Sequence, residues 1–157
     1  MAAVIETRLQ NKLAKILEKA RPTPLGCLEY DSGKTKGGYS RYHMRYPLHL
    51  SGRVTVEAQM TASRAVYILH HRRPDLIGIP GTDQVSHLCH NPRCVRITHL
   101  HLESQEANNR RKPCHFNGAC QGVCVPECIF PKSFPPCAGS GDHTLLKTPS
   151  QYVPKFL

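Results

Sequence analysis

Tryptophan is absent from this chain, and so is any apolar run near the roughly twenty residues that a membrane-spanning helix needs. The first twenty residues, MAAVIETRLQNKLAKILEKA, are charged every few positions and lack the unbroken apolar core of a secretory signal, so an intracellular setting is expected. Acids are scarce: 11 Asp and Glu stand against 21 Lys and Arg, a net charge of +10 with neutral His. That imbalance favours a polyanionic partner such as nucleic acid. Apolar residues make up only 39% of the 157, and 13 Pro and 11 Gly interrupt regular structure. One small domain is implied, with a core modest enough to need cross-links or metals.

Cysteine is what the chain has instead. Eight is an even number, so disulfides must be weighed. In a reducing compartment, however, clustered Cys and His read as zinc ligands. Cys89, Cys94 and His99 form C-x4-C-x4-H, tight loops of the kind that gather ligands around one ion. Zinc wants four ligands, and Cys27, otherwise isolated, is the unpaired candidate for the fourth. Cys114, Cys120, Cys124 and Cys128 form C-x5-C-x3-C-x3-C, a second structural zinc site. Cys137 is left over as a free thiol. Two such sites would lower the net charge to about +7, which is still basic.

Periodicity places the elements. Ile5, Leu9, Leu13, Ile16, Leu17 and Ala20 recur at helical spacing, so residues 3 to 20 read as an amphipathic helix stopped by Pro22 and Pro24. LGCLEY, residues 25 to 30, is strand-like, and the loop after it carries Lys34 and Lys36. In residues 39 to 46 Tyr39, Arg41, His43 and Arg45 alternate with Ser40, Tyr42, Met44 and Tyr46, a strand with one cationic and one packed face. Such a sheet can lie in a major groove; a solvated face is the plainer alternative. GRVTVE, residues 52 to 57, is a second strand. Residues 61 to 71 read as a helix with Ala62, Ala65, Val66 and Leu69 inside and Arg64 outside. His70, His71, Arg72 and Arg73 close it, adjacent positions that make a poor metal pair but suit the helix dipole.

The stretch Ser86 to Lys112 then follows in the order strand with His87, zinc loop, short strand with Leu100 and Leu102, and a helix capped by Ser104 that carries Asn108. His87 and Asn108 come from elements on either side of a metal-stapled hairpin, where they could converge. His90 and His101 are rivals as surface or supporting residues. Asn109 competes with Asn108, but about 100° of helix rotation separates them.

SHLCHNPRCVRITHLHLESQEANNRR resembles the active-site core of the His-Cys box homing endonucleases and of the HNH nucleases with a zinc-stapled hairpin, together the ββα-metal nucleases. The matching pieces are His87-Leu88-Cys89, Arg93-Cys94, His99-Leu100, Glu103 and Asn108. SRAVYILHHRRP resembles the helix that precedes the motif in HNH proteins. The resemblance implies an α+β fold: a ββα-metal core stapled by two structural zinc sites, a small antiparallel DNA-binding sheet and an extended C-terminal arm. It implies His87 as general base with a pKa near working pH, Asn108 as ligand of a single catalytic Mg2+, and Arg41 as the contact to the scissile phosphate, with Arg45 in reserve. DNA contacts are expected from Arg45, His43, Lys34, Lys36 and Arg53. Where the family has histidine as third ligand of the second site this chain has Cys124, with His115 as a cramped competitor.

Residues 1–128 are therefore expected to form one zinc-stapled domain: helix 1–24, DNA-binding sheet and helix 25–80, catalytic core with second zinc loop 81–128. The Pro-, Gly- and Ser-rich stretch 129–157 would be an arm reaching across a homodimer and burying Leu145, Leu146, Tyr152, Val153, Phe156 and Leu157. The implied function is Mg2+-dependent cleavage of both strands of a DNA duplex, in an intracellular, nuclear setting without membrane contact. The alternative is a DNA-binding zinc protein that has lost its nuclease activity.

Overall fold

A computed structural model of the chain describes residues 2–47, 55–77, 83–117 and 124–129, with the backbone alone for 2, 3 and 115–117. The elements are helix α1 (Ala2–Lys19), strands β1 (Arg21–Pro22), β2 (Leu28–Glu29), β3 (Arg41–Pro47) and β4 (Thr55–Thr61), helix α2 (Ala62–His71), strands β5 (Asp83–His87) and β6 (Leu100–Ser104), and helix α3 (Gln105–Asn117). The strands make three separate two-stranded antiparallel sheets, β1 with β2, β3 with β4, and β5 with β6. This is the small α+β architecture that the sequence implies.

The core forms where the apolar stripes meet. Leu9 and Ile16 of α1 pack with Ala62, Ala65, Val66, Ile68 and Leu69 of α2 and with Met44 and Tyr46 of β3. Leu17, assigned to the buried stripe from its spacing, is exposed instead, because it lies at the edge of the face that α1 turns inward. Thr61 caps α2 by accepting from the Arg64 N–H at 3.3 Å. Arg72 ends it in the left-handed conformation, φ 57°, and its guanidinium pairs with Glu6 of α1, tying the two helices together. Arg73 pairs with Asp75 at 2.7 Å. The cationic end of α2 is thus structural, as its spacing implied.

Three expectations need correction. Arg64 does not point outward: half-buried, it donates to the carbonyls of Leu76 at 2.8 Å and Asp83 at 3.2 Å, and so fastens the chain leaving α2. The second strand runs on past Glu57 to Thr61, because Val56, Ala58 and Met60 keep pairing with Tyr46, Met44 and Tyr42 up to the helix cap. Helix α3 continues past Lys112 to Asn117 and contains Pro113. Gly52 to Val54, Cys120, Cys137 and all of the expected C-terminal arm beyond Ile129 lie outside the described residues.

Candidate metal centres and active site

The hairpin β5–β6 is the frame of the site. Its register pairs Asp83 with Ser104, Gln84 with Glu103, Ser86 with His101 and His87 with Leu100. The connecting segment between them folds back on itself: Leu88 N–H bonds to His99 O at 2.8 Å, Cys94 N–H to Asn91 O at 3.0 Å and His99 N–H to Arg96 O at 2.9 Å. Cys89, Cys94 and His99 are thereby turned inward, and all three are buried.

Cys27 joins them from 62 residues upstream of Cys89 by a backbone splice. Val95 N–H donates to Leu28 O at 2.7 Å and Tyr30 N–H to Arg93 O at 3.0 Å, so β2 runs beside the zinc loop. Glu29 clamps the splice, accepting from Asn91 Nδ2 at 2.7 Å and pairing with Arg93 at 2.6 Å. Ahead of Cys27, Gly26 turns at φ 81°, the left-handed conformation a glycine adopts without strain.

The ligating atoms of Cys27, Cys89, Cys94 and His99 all lie within 4.8 Å of one another. His99 Nδ1 is 3.5 Å from Cys94 Sγ and 3.7 Å from Cys27 Sγ. A tetrahedral zinc with ordinary bond lengths has S···N edges of about 3.6 Å, so these separations are those of a zinc cage. Without metal the thiols divide their protons unevenly. Cys94 is pulled far down by hydrogen bonds from Cys27 and Cys89, and Cys89 is pushed well up by its bonds to Cys27 and Cys94 and by burial. A dication would remove that conflict by deprotonating all of them.

The second cluster holds Cys114, Cys124 and Cys128, all buried and within the same 4.8 Å limit. Cys124, in the place the family gives to histidine, is therefore grouped with the two thiols, while Cys120 and the His115 side chain lie outside the described residues. Cys114 and Cys124 sulfurs are 3.5 Å apart, far beyond a disulfide and close to the edge of about 3.8 Å of a zinc–thiolate tetrahedron. None of the six described cysteines is in a disulfide, which sets aside the disulfide alternative for them. Ile129 N–H donates to Leu88 O at 2.6 Å, so the loop of the second cluster closes over the first.

Glu29→Ala should loosen Cys27. We expect zinc affinity at the first cluster to fall about tenfold, measured by competition with a chromophoric chelator, as for other residues that brace metal ligands.

His87 is not in either cluster. It ends β5, buried, with Nε2 at 3.1 Å from the Cys94 carbonyl and its ring 5.7 Å from that of Tyr39. A carbonyl only accepts, so Nε2 carries the proton and Nδ1 is the basic nitrogen. Burial pushes the imidazole down to about 4, lower than the near-neutral value expected of it from the sequence. It is neutral at ordinary pH.

Asn108 sits one turn into α3, after the Ser104 cap, which accepts from Ala107 N–H at 3.2 Å. Its Nδ2 donates to Gln84 Oε1 at 2.6 Å; Gln84 Nε2 donates to Gln105, whose Nε2 donates to Asn109 Oδ1 at 3.2 Å. This one-way chain of amides sets the sense of Asn108 and leaves Oδ1 as its acceptor end. No hydrogen bond joins His87 to Asn108. Strand β5 links them, holding Asn108 through Gln84 and carrying His87 at its far end. Asn109, the rival, is exposed, while His101 on β6 is half-buried and His90 lies in the zinc loop.

The alternation of β3 is as read: Arg41, His43 and Arg45 are exposed and Met44 and Tyr46 buried. His43 and Arg45 flank Glu57 of β4, at 3.6 and 2.7 Å, and Lys34 lies 3.8 Å from Asp31. Lys36 is exposed, and Arg53 falls outside the described residues. Arg41 stands two positions from Tyr39, the residue whose ring touches His87.

A hairpin and helix carrying two thiol-rich ligand clusters define a zinc-stapled α+β domain. Residues 27–143, about three quarters of the chain, match the family model of the zinc-binding loop region of homing endonuclease, and the chain belongs to this family. No curated protein and no solved structure matches it. Membership supports a nuclease-type function and implies DNA as the substrate. Among the described residues no helix is long and apolar enough to cross a membrane.

Sequence reasoning missed Glu29, Gln84 and Arg111, which bonds Glu103 at 2.7 Å. Glu103 entered only as part of the family match. Each acts across a fold contact between residues at least eight positions apart, which no local spacing announces.

Proposed function

We propose that the protein is a site-specific homing endonuclease that hydrolyses both strands of a DNA duplex as a homodimer. One subunit cuts each strand, with one Mg2+ per active site. The observation that carries this reading is that His87 and Asn108, both outside the zinc clusters, have their donor ends tied to the protein and their acceptor ends left over. That is the arrangement wanted of a base and of a hard-cation ligand.

In this reading Nδ1 of His87 takes a proton from water as the water oxygen bonds to phosphorus, and the bond to the 3′ oxygen breaks. The Cys94 carbonyl accepts from Nε2–H and stabilises the imidazolium that results. Asn108 Oδ1 would hold the Mg2+, which when bound supplies charge stabilisation at the phosphate and the leaving oxygen. Arg41 binds the scissile phosphate, with Arg45, His43, Lys34, Lys36 and Arg53 on the flanking duplex. The two clusters hold structural zinc, Cys120 completing the second. Residues 129–157 form the dimer arm, and a nuclear role in intron homing belongs to the same proposal.

The experiment is exposure of a randomised-target plasmid library to the wild type with Mg2+. Linearised plasmid sharing one recoverable sequence supports the proposal. Tight DNA binding with no nicking across the library would instead select the alternative, a zinc-containing DNA-binding protein without catalysis.

A further inference from the structure

Among its described side chains, Gln105 to Cys114, helix α3 has no apolar stripe to hold it. From Gln105 to Cys114 only Arg111 and Cys114 are buried; Ala107 and Asn108 are half-buried and the remainder exposed. A helix normally docks by an apolar face; α3 is seated instead by those two buried side chains together with its amide bonds to Gln84.

Arg111 is 3% exposed and meets Glu103 of β6, 9% exposed, through two parallel bonds, Nε to Oε1 and Nη2 to Oε2, each 2.7 Å. Its remaining arm turns the other way. Nη1 donates to the Pro126 carbonyl at 2.7 Å and lies 3.6 Å from Cys128 Sγ, a member of the second cluster. Cys114, the other buried residue of α3, belongs to that cluster too. One flat guanidinium therefore bonds the hairpin on one side and the second cluster on the other, a geometry that a lysine ammonium cannot reproduce. Asn108 is three positions from Arg111, hence a neighbour on the helix surface, and its amide reaches the same hairpin at Gln84.

We infer that Arg111 is a positioning residue through which the second cluster seats α3 on the hairpin and so sets the place of Asn108. The cluster then belongs to the alignment of the active site as well as to the stapling of the chain beyond it. With metal in place the Cys128 sulfur would be a fixed thiolate acceptor for Nη1; without metal it would be an ordinary thiol, a weaker acceptor, and the outer half of the joint would rest on the Pro126 carbonyl alone. The inference rests on reading Asn108 as the Mg2+ ligand.

The test uses the full-length protein, wild type against Arg111→Gln and Arg111→Lys, with zinc content measured on each. Backbone amide exchange over residues 105–112 is expected to speed up at least tenfold in Arg111→Gln, and less in Arg111→Lys. Amides of β3 and β4 should be unchanged, and DNA affinity should stay within about twofold. The Mg2+ midpoint of single-turnover cleavage should rise about tenfold. Selective removal of the second zinc from wild type should reproduce the exchange change. Exchange and Mg2+ dependence like wild type in both variants would overturn the inference. Should Arg111→Gln not fold, Glu103→Gln, which keeps an acceptor but drops the charge, carries the same expectations. A wild type that never cuts DNA defeats the Asn108 reading and leaves the exchange result to decide the role of Arg111.

Discussion

Replacing Cys94 with alanine should empty the first cluster of zinc and unfold the hairpin around it. Cys94 is tied at its sulfur, its N–H and its carbonyl. Its sulfur faces His99 Nδ1 at 3.5 Å, its N–H closes the turn to Asn91 at 3.0 Å, and its carbonyl takes the Nε2–H of His87 at 3.1 Å. The next residue, Val95, carries the splice to β2. Structural zinc contributes on the order of 10–16 kcal/mol in small zinc peptides, whereas a whole domain is stable by about 5–15 kcal/mol. With a core of this size, loss of that term cannot be offset by packing. Zinc per chain should fall by one, and amide resonances of residues 83–104 should collapse toward random-coil positions, while the α1–α2 pairing survives longer. Retention of both zincs in Cys94→Ala would remove Cys94 from the ligand set.

Replacing His87 with alanine should do the reverse. The side chain touches the Cys94 carbonyl and the Tyr39 ring but lies outside both ligand clusters, so zinc content and fold should persist. Cleavage should drop by about 10²–10⁴, the range a general base contributes. Asn108→Ala should also lose cleavage with zinc retained, and raised Mg2+ should recover part of it, since in the proposed mechanism the lost group is a ligand and not a base. His87→Ala should show no such recovery. Both variants should still bind DNA, because the exposed Arg41, His43 and Arg45 face proposed to contact it is untouched.

What could be read from the sequence was local. Cys89, Cys94 and His99 gather through loops of four residues, and the alternation of residues 39 to 46 announces its own two faces. Cys27 was placed by need, as a thiol without another role; its mechanism of arrival, Glu29 gripping Asn91 and Arg93, is a contact across more than sixty residues and has no local signature. Arg64 was misplaced because a charge in an amphipathic helix normally marks the wet face, and nothing in the chain shows that two backbone carbonyls await it. Strand β4 was read short because its inward residues, Val56, Ala58 and Met60, are too varied in size to mark a strand's end. Arg111 and Glu103 look like surface charges in a polar helix and strand. Only the fold removes them from water, and only then does the pair become a joint between the hairpin and the second cluster.

The division of labour between zinc and catalysis is tested most directly by measuring zinc per chain and DNA cleavage on one preparation of His87→Ala. Expected is the zinc content of the wild type with cleavage reduced at least a hundredfold, in line with loss of about 10²–10⁴ for a general base. Loss of zinc, or cleavage at the wild-type rate with zinc intact, would contradict it.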